Sequence, residues 1–571
     1  VTLKNLYLAR GANTVLAEAT FNPKASDVGQ NLLSTFVMGQ DNGVEISGYQ
    51  NSTSIASLAG PLSVVSLAST LPGLKTALIQ GGALTVLPDT VKTGVVGVKV
   101  SIANPFSAGL SITKVTAAAT FVGMPVGNID QDISSSPFVI PGKATAESQD
   151  LNMNMNIEPA SVALLLRTLA VQANMDTKSL DALLGLGGFN IVGQEDVNAD
   201  ASMFTNFNIS SYVLDAMKAL KVDLSLSSGL TIGEYSSDLA FSQNSVAIAT
   251  DSTVTQLIPI VGQPIVQQIV DGAVLAFESV ILSAPTNNDF TVQMKGSITK
   301  SGPMDATISF PTPLNVAWQG KKLGTVSMPD INAKADVGAS FDVTGKFTIA
   351  NTDDMATFAA YMINNQDFIW DITTQDVSVS ALGFTFTKIT MEKFITLAGA
   401  NGFKDAVTIN SFDLPSNDPA GGITLTAQTS IKNPSQVGFN LAGVGFETFY
   451  KGVDLGPLAS NGAAVFPPQG VAAIAMKGRL IPQTSSEGLK AVTEVFDNYL
   501  SANDSLVDVK GVSGSGPNGQ VGWLTDAFKT LTIKDVVLPG PKTKPELIPA
   551  ITMKDMQLDF TKDPWAPPTS S

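Results

Sequence analysis

The 571-residue chain carries 33 Lys and Arg against 49 Asp and Glu, a formal charge of −16, and has neither cysteine nor histidine. Those gaps exclude disulfides, thiolate zinc sites, iron–sulfur clusters and histidine-based triads. The acidity, with no basic run, speaks against nucleic acid and anionic membrane surfaces as partners.

At this length one core is too few, and the low charged fraction with abundant Gly, Ala, Ser, Thr and Val suits β modules. The chain opens on Val1-Thr2-Leu3-Lys4-Asn5-Leu6-Tyr7-Leu8: aliphatic, Thr, aliphatic, polar, small polar, apolar, any residue, Leu. The pattern returns, more loosely in places, at Leu275–Leu282, Val407–Leu414, Leu531–Leu538 and Ile551–Leu558. Such an octapeptide reads as a strand entering or leaving a sheet, and its recurrence predicts a tandem array.

In chain order, residues 1–88 are expected to form a partial β module with a Pro-punctuated apolar stretch from Ser54 to Ile79. Residues 89–202 form the first full module. It holds Asn104-Pro105 and then Gly123-Met124-Pro125-Val126-Gly127, a pair that recurs as Gly302-Pro303 with Gly320–Gly324 and as Asn433-Pro434 with Gly452–Gly456. The two glycines predict a hairpin needing positive φ or a bulge, and the apolar residue between them can face a core. Leu151 to Ile157 alternates Leu, Met, Met and Ile with Asn, a half-buried strand; core packing is the favoured role of its methionines over lining an apolar groove.

Beyond each glycine pair the spacing predicts an amphipathic helix, at Ser161–Ala170, Asp353–Ile363 and Ser486–Leu500. Asn351 or Thr352 caps the second and Thr484 or Ser485 the third. Residues 203–284 lack the glycine motif and read as a short β module like the first. Residues 285–406 and 407–530 are full sandwiches, and 531–571 are incomplete terminal strands.

Val100-Ser101-Ile102-Ala103-Asn104-Pro105-Phe106 and Thr429-Ser430-Ile431-Lys432-Asn433-Pro434-Ser435 resemble the Asn-Pro strand of group-two late-embryogenesis-abundant domains. The order of motifs, including Phe403 to Pro415 and Gly478-Arg479-Leu480, resembles large fungal membrane-anchored proteins of unknown function. The resemblance implies tandem immunoglobulin-like β-sandwiches, each full one with a short helix, in an elongated rod within the secretory or vacuolar lumen or outside the cell. It brings no catalytic residue.

Candidate chemistry is sparse. Gly514-Ser515-Gly516-Pro517-Asn518-Gly519 matches a dinucleotide-loop spacing, but Pro517 and its β surroundings favour a plain hairpin. Asp353 and Asp354 read as helix-start residues rather than a catalytic pair. Asp504 and Asp508, or Asn417 and Asp418, could offer oxygens to calcium without any recognised spacing. Phe446, Phe449 and Tyr450 could stack on sugar but are better explained by burial. No cofactor, metal or catalytic residue is therefore assigned.

Asn51, Asn208 and Asn503 stand in glycosylation sequons, whereas Pro434 blocks the one at Asn433. No run of about 20 apolar residues is present, so any membrane anchor is expected outside this stretch. The expected function is a non-enzymatic structural scaffold. Its partner is itself, through head-to-tail strand complementation into filaments, or neighbouring modules of a longer chain. The assembly strands would present Val1, Leu3, Leu6 and Leu8 at one end and Ile551, Met553, Met556 and Leu558 at the other. The alternative is an ectodomain binding lipid or another apolar ligand, and a glycan-binding or glycan-active protein ranks last.

Overall fold

The computed structural model describes residues 1–555 apart from 5, 8, 23–25, 547 and 549. The chain is mostly β, with several sheets. It begins with α1 (Ser26–Val37), β1 (Asn42–Ser47), α2 (Ala56–Ser63) and β2 (Ser66–Leu71). Among the described residues, β1 and β2 pair only with each other.

The first unit holds β3 (Ile79–Val86), α3 (Thr90–Thr93), β4 (Val95–Ala103), β5 (Leu110–Phe121), β6 (Met124–Asp132), β7 (Phe138–Ile140), β8 (Thr145–Glu147) and β9 (Leu151–Met155). A helical lobe follows, α4 (Pro159–Gln172), α5 (Lys178–Leu186) and α6 (Ile209–Met217), then a long hairpin, β10 (Lys221–Ile232) and β11 (Tyr235–Thr250), and α7 (Ile258–Gly272). Seven strands close a ring in the order β3, β4, β9, β6, β5, β10, β11 and back to β3. The closing pair is parallel, Ile248–Thr250 opposite Gly82–Leu84. Alternation fills the inside: Leu84, Val98, Val126, Ile129 and Met153 are buried there. The methionine strand thus packs the core.

The second unit comprises β12 (Val274–Ser283), β13 (Asp289–Thr299), β14 (Ala306–Ser309), β15 (Leu314–Trp318), β16 (Lys321–Val326), β17 (Ile331–Ala333), β18 (Ala339–Ile349), α8 (Thr352–Asn364), β19 (Asp367–Ala381) and β20 (Phe384–Ala398). The third comprises β21 (Val407–Asn417), β22 (Ile423–Lys432), β23 (Val437–Leu441), β24 (Gly443–Tyr450), β25 (Val453–Ser460), β26 (Ala464–Phe466), β27 (Val471–Leu480), α9 (Ser486–Leu500), β28 (Ser505–Gly516), β29 (Gly519–Gln520), α10 (Gly522–Lys529) and β30 (Thr532–Leu538).

The three units share one connectivity. β9, β18 and β27 each lie between β4 and β6, β13 and β16, or β22 and β25. The glycine motif builds the same hairpin each time. Val122-Gly123, Gln319-Gly320 and Lys451-Gly452 have φ of 50° and 80°, 49° and 77°, and 49° and 85°, the double positive-φ turn whose twist matches antiparallel strands. A register shift follows in each hairpin, and the residue before the second glycine is buried: Val126, Leu323 and Leu455. The second glycines, Gly127, Gly324 and Gly456, run so close to the next strand that a Cβ would meet a carbonyl oxygen at 2.6, 2.3 or 2.1 Å.

The three expected helices form as α4, α8 and α9, with Asn351 and Ser485 capping α8 and α9. The expected boundaries do not follow the sheets. β3, on the near side of residue 88, and the hairpin of the expected short module 203–284 both belong to the first ring. β23, assigned beyond residue 406, pairs with β12 of the second unit, and β30, assigned to the terminal strands, pairs with β28. The reason is physical: a strand motif marks a local turn, whereas ring membership depends on which distant edge each strand reaches.

Candidate functional site

The Asn-Pro motif fixes a loop in the first unit and again in the third. Asn104 and Asn433 are buried. Asn104 Oδ1 accepts from the Phe106 amide at 2.9 Å, and its Nδ2 donates to the Ala108 and Ile140 carbonyls at 2.9 and 3.1 Å. Asn433 repeats this: Oδ1 accepts from the Ser435 amide at 3.0 Å, and Nδ2 donates to the Val437 and Pro467 carbonyls at 2.9 and 3.1 Å. An amide supplies both a donor pair and an acceptor in one plane, and Pro fixes the following φ, so Asn-Pro locks the loop.

In the third unit this loop reaches into the second. β12 and β20 lie side by side there without ladder bonds, so the second ring has a seam. Gln436 bridges it. Its amide and side-chain Oε1 bond to the Ala398 carbonyl and amide at 3.1 and 2.9 Å, its Nε2 donates to the Phe277 carbonyl at 2.9 Å, and its carbonyl accepts from the Val280 amide at 3.0 Å. β23 then continues parallel to β12, Val437–Asn440 opposite Val280–Ser283.

At the other end, α7 covers the seam. Gln263 Nε2 donates to the Thr387 carbonyl at 2.7 Å, and Gln267 exchanges two bonds of 2.9 Å with the Thr390 backbone. These glutamines look like interruptions of an apolar run in the sequence; here they satisfy the strand edge. Lys393 Nζ donates to the Asp271 and Ala273 carbonyls at 2.9 and 2.6 Å, where a cation complements the helix C-terminus. Burial pulls its ammonium below the usual lysine value, opposed by nearby Asp271.

Behind the seam lies a cavity of about 90 Å³, lined by apolar side chains such as Phe277, Met294, Leu323, Phe358 and Ile372, with Lys393 at its edge. A similar space of about 90 Å³ lies in the third unit beneath α9, bounded by Val492, Val495 and Phe496, with Arg479 on its wall. A wider groove of about 620 Å³ runs between α1 and the tip of the β10–β11 hairpin, lined by Phe21, Phe36, Phe106 and Tyr235.

The residues singled out from sequence fall as follows. Asn51, Asn208 and Asn503 are exposed, and Asn208 caps α6 through Oδ1. Val1, Leu3, Leu6, Ile551 and Met553 are exposed; Leu8, Met556 and Leu558 lie outside the described residues. Among the described residues, the end segments do not form the expected strands. Thr2 makes a single bridge to Glu18, and residues 551–555 form none.

Asp353 and Asp354 occupy the first turn of α8, with Asp354 2.7 Å from Lys321. Asp508 pairs with Lys534 at 2.6 Å and Asp504 accepts from the Gly540 amide at 3.0 Å. Asp418 accepts from the Ala420 amide and the Thr424 hydroxyl. Phe446 and Tyr450 are buried. Residues 514–519 form the β28–β29 hairpin.

Sequence reasoning missed one polar cluster. Arg167 and Asp181 are buried in the helical lobe, bonded through Nε–Oδ1 at 2.6 Å and Nη2–Oδ2 at 3.1 Å. Arg167 also donates to the Gly193 carbonyl, and Thr177 and the Glu195 amide donate to Asp181. The signal was an arginine on the apolar face of a helix. Every partner is satisfied, which marks a structural cluster.

A family model described as a protein of unknown function (DUF3712) matches residues 321–448. The matched stretch runs from β16 into β24 and includes the Gln436 bridge. No curated protein matches the chain. Among solved structures it is similar to a glycosyl hydrolase family 2 member from Bacteroides cellulosilyticus, with 7% identity and a TM-score of 0.12. That match covers 67% of this chain and 37% of the other. At that score nothing is carried over from it.

Proposed function

We propose that the chain is a non-enzymatic structural scaffold, built as a tandem array of related β modules of the immunoglobulin-like, late-embryogenesis-abundant-like kind, in a lumen or outside the cell. One observation carries this reading: the second and third units share an eleven-stranded sheet and a single apolar core. Joints between independently working domains are typically smaller and more polar. A shared sheet instead fixes one unit against the next, which suits a protein that holds distance and orientation. Thermal unfolding followed by hydrogen exchange tests it. Residues 274–538 should lose protection together, and separate transitions for the two units would sink the reading.

A second reading, an apolar-ligand ectodomain, draws on the apolar cavity behind the seam. At about 90 Å³ it has the volume of about three waters, so a lipid would have to displace packed side chains. Native mass spectrometry of protein from its own source decides between them: bound lipid favours the second reading and the bare mass the first.

A further inference from the structure

The first strands of the three units, β3, β12 and β21, share a bulge at one position. The register shifts at Gln80 in β3, at Glu278 in β12 and at Asn410 in β21, and β21 shifts once more between Asp413 and Ser416. Two residues past the bulge, β3 and β12 each take a parallel partner on the outer edge. Gly82–Leu84 receive Ile248–Thr250 of the same unit, and Val280–Ser283 receive Val437–Asn440 of the next. The matching residues of β21 are Phe412, Asp413 and Leu414. They have no such partner among the described residues, since β21 is an edge strand paired only with β22. The Leu414 amide is instead held by its neighbour's Asp413 Oδ1 at 2.8 Å. β30 lies near β21 but is bonded only to β28, just as β20 lies near β12 while β12 still carries β23.

We propose that the outer edge of β21 at Phe412–Leu414 is a docking site for an extended strand from another polypeptide, laid parallel as β23 is laid on β12. The β12 joint defines the partner's chemistry. It is an Asn-Pro-led segment whose glutamine spans the seam, followed by alternating residues that continue the ladder. Main-chain bonds provide the affinity and the Asn-Pro turn the register. This extends the scaffold reading by naming the class of partner. Its failure would leave the shared core of the second and third units, and hence that reading, untouched.

The test uses the full chain and a synthetic peptide with the sequence of Asn433–Leu441. With about 1 mM peptide, where even millimolar affinity half-saturates a site, hydrogen exchange at 412–414 should slow severalfold while 280–283 stay unchanged. A peptide carrying Gly438→Pro and Asn440→Pro, which lacks two ladder donors, should have no effect. Unchanged exchange at 412–414 overturns the proposal. Light scattering of the chain alone identifies the source. Oligomers dissolved by excess peptide point to a second copy, and a monomer that binds the peptide points to a different protein; both support the site.

Discussion

The first and second units use the same strands in the same order and close differently. In the first, the hairpin β10–β11 returns to β3 and the ring seals with its own backbone. In the second, β20 never pairs with β12; Gln263 and Gln267 of α7 bond to the β20 edge, and Gln436 of the third unit bonds to both strands. An unsatisfied buried backbone group costs about 1–3 kcal/mol, so an open seam is tolerable only if neighbours supply the bonds. The second unit is thus completed by the units on either side of it.

The sharpest way to break this contrast runs through the helical lobe, because α7 rests on it. Asp181→Ala strands a buried guanidinium and should cost about 3–5 kcal/mol in chemical unfolding of the first unit. It should also speed exchange of the Thr390 amide, which Gln267 holds. The double variant Arg167→Met, Asp181→Leu should recover most of the loss, since burial without charge is tolerated. If Thr390 exchange is unaffected by Asp181→Ala, the seam does not depend on the lobe.

Next in size is the pair of buried asparagines. Asn104→Ala and Asn433→Ala each abolish bonds to one amide and to at least two carbonyls, and each should cost about 3 kcal/mol. Their reach should differ. Asn104→Ala should loosen the first unit alone, whereas Asn433→Ala should loosen the third unit and the β12 edge of the second. Equal, local losses of protection would mean that the loop does not carry the joint.

How much of this was legible follows from how local each feature is. The Gly-x-x-[Leu/Val]-Gly hairpins were readable because φ above zero at Gly123, Gly320 and Gly452 is a demand on one residue. The helices with their caps at Asn351 and Ser485 were readable for the same reason. Ring closure was not, because β10 and β5 are distant in sequence and either could end a sheet by its own pattern. The seam was hidden for a further reason: Gln263, Gln267 and Gln436 look like ordinary surface residues until the strand edge they face is known. The repeated octapeptide misled at the chain start, where the described residues of 1–8 share the pattern but form no strand beyond the Thr2–Glu18 bridge.

A smaller change addresses the seam alone. Gln436→Ala removes side-chain bonds to Ala398 and Phe277 but keeps the two main-chain bonds, so a loss of about 1–2 kcal/mol is expected. Exchange should rise at the Ala398 amide and not at Ile248–Thr250, the closed seam of the first ring. Equal effects at both seams would erase the distinction between them.

The smallest effect is a titration that reports on the lobe supporting α7. Tyr212, on α6, donates its hydroxyl to the Asp176 carbonyl at 2.9 Å. Burial first, then the negative charges of Asp181 and Asp176, push its pKa from 10.0 up to about 12. Its raised pKa favours the protonated form in the folded state, so this contribution is full below about pH 10 and is lost as pH climbs towards about 12. Ultraviolet titration should therefore show a late phenolate phase that belongs to Tyr212 and vanishes in Tyr212→Phe. In Asp181→Asn, which keeps the side chain's shape but not its charge, that late phase should move to lower pH. If it stays in place, burial and Asp176 set it without Asp181, and the Arg167–Asp181 cluster is electrically closed to its surroundings.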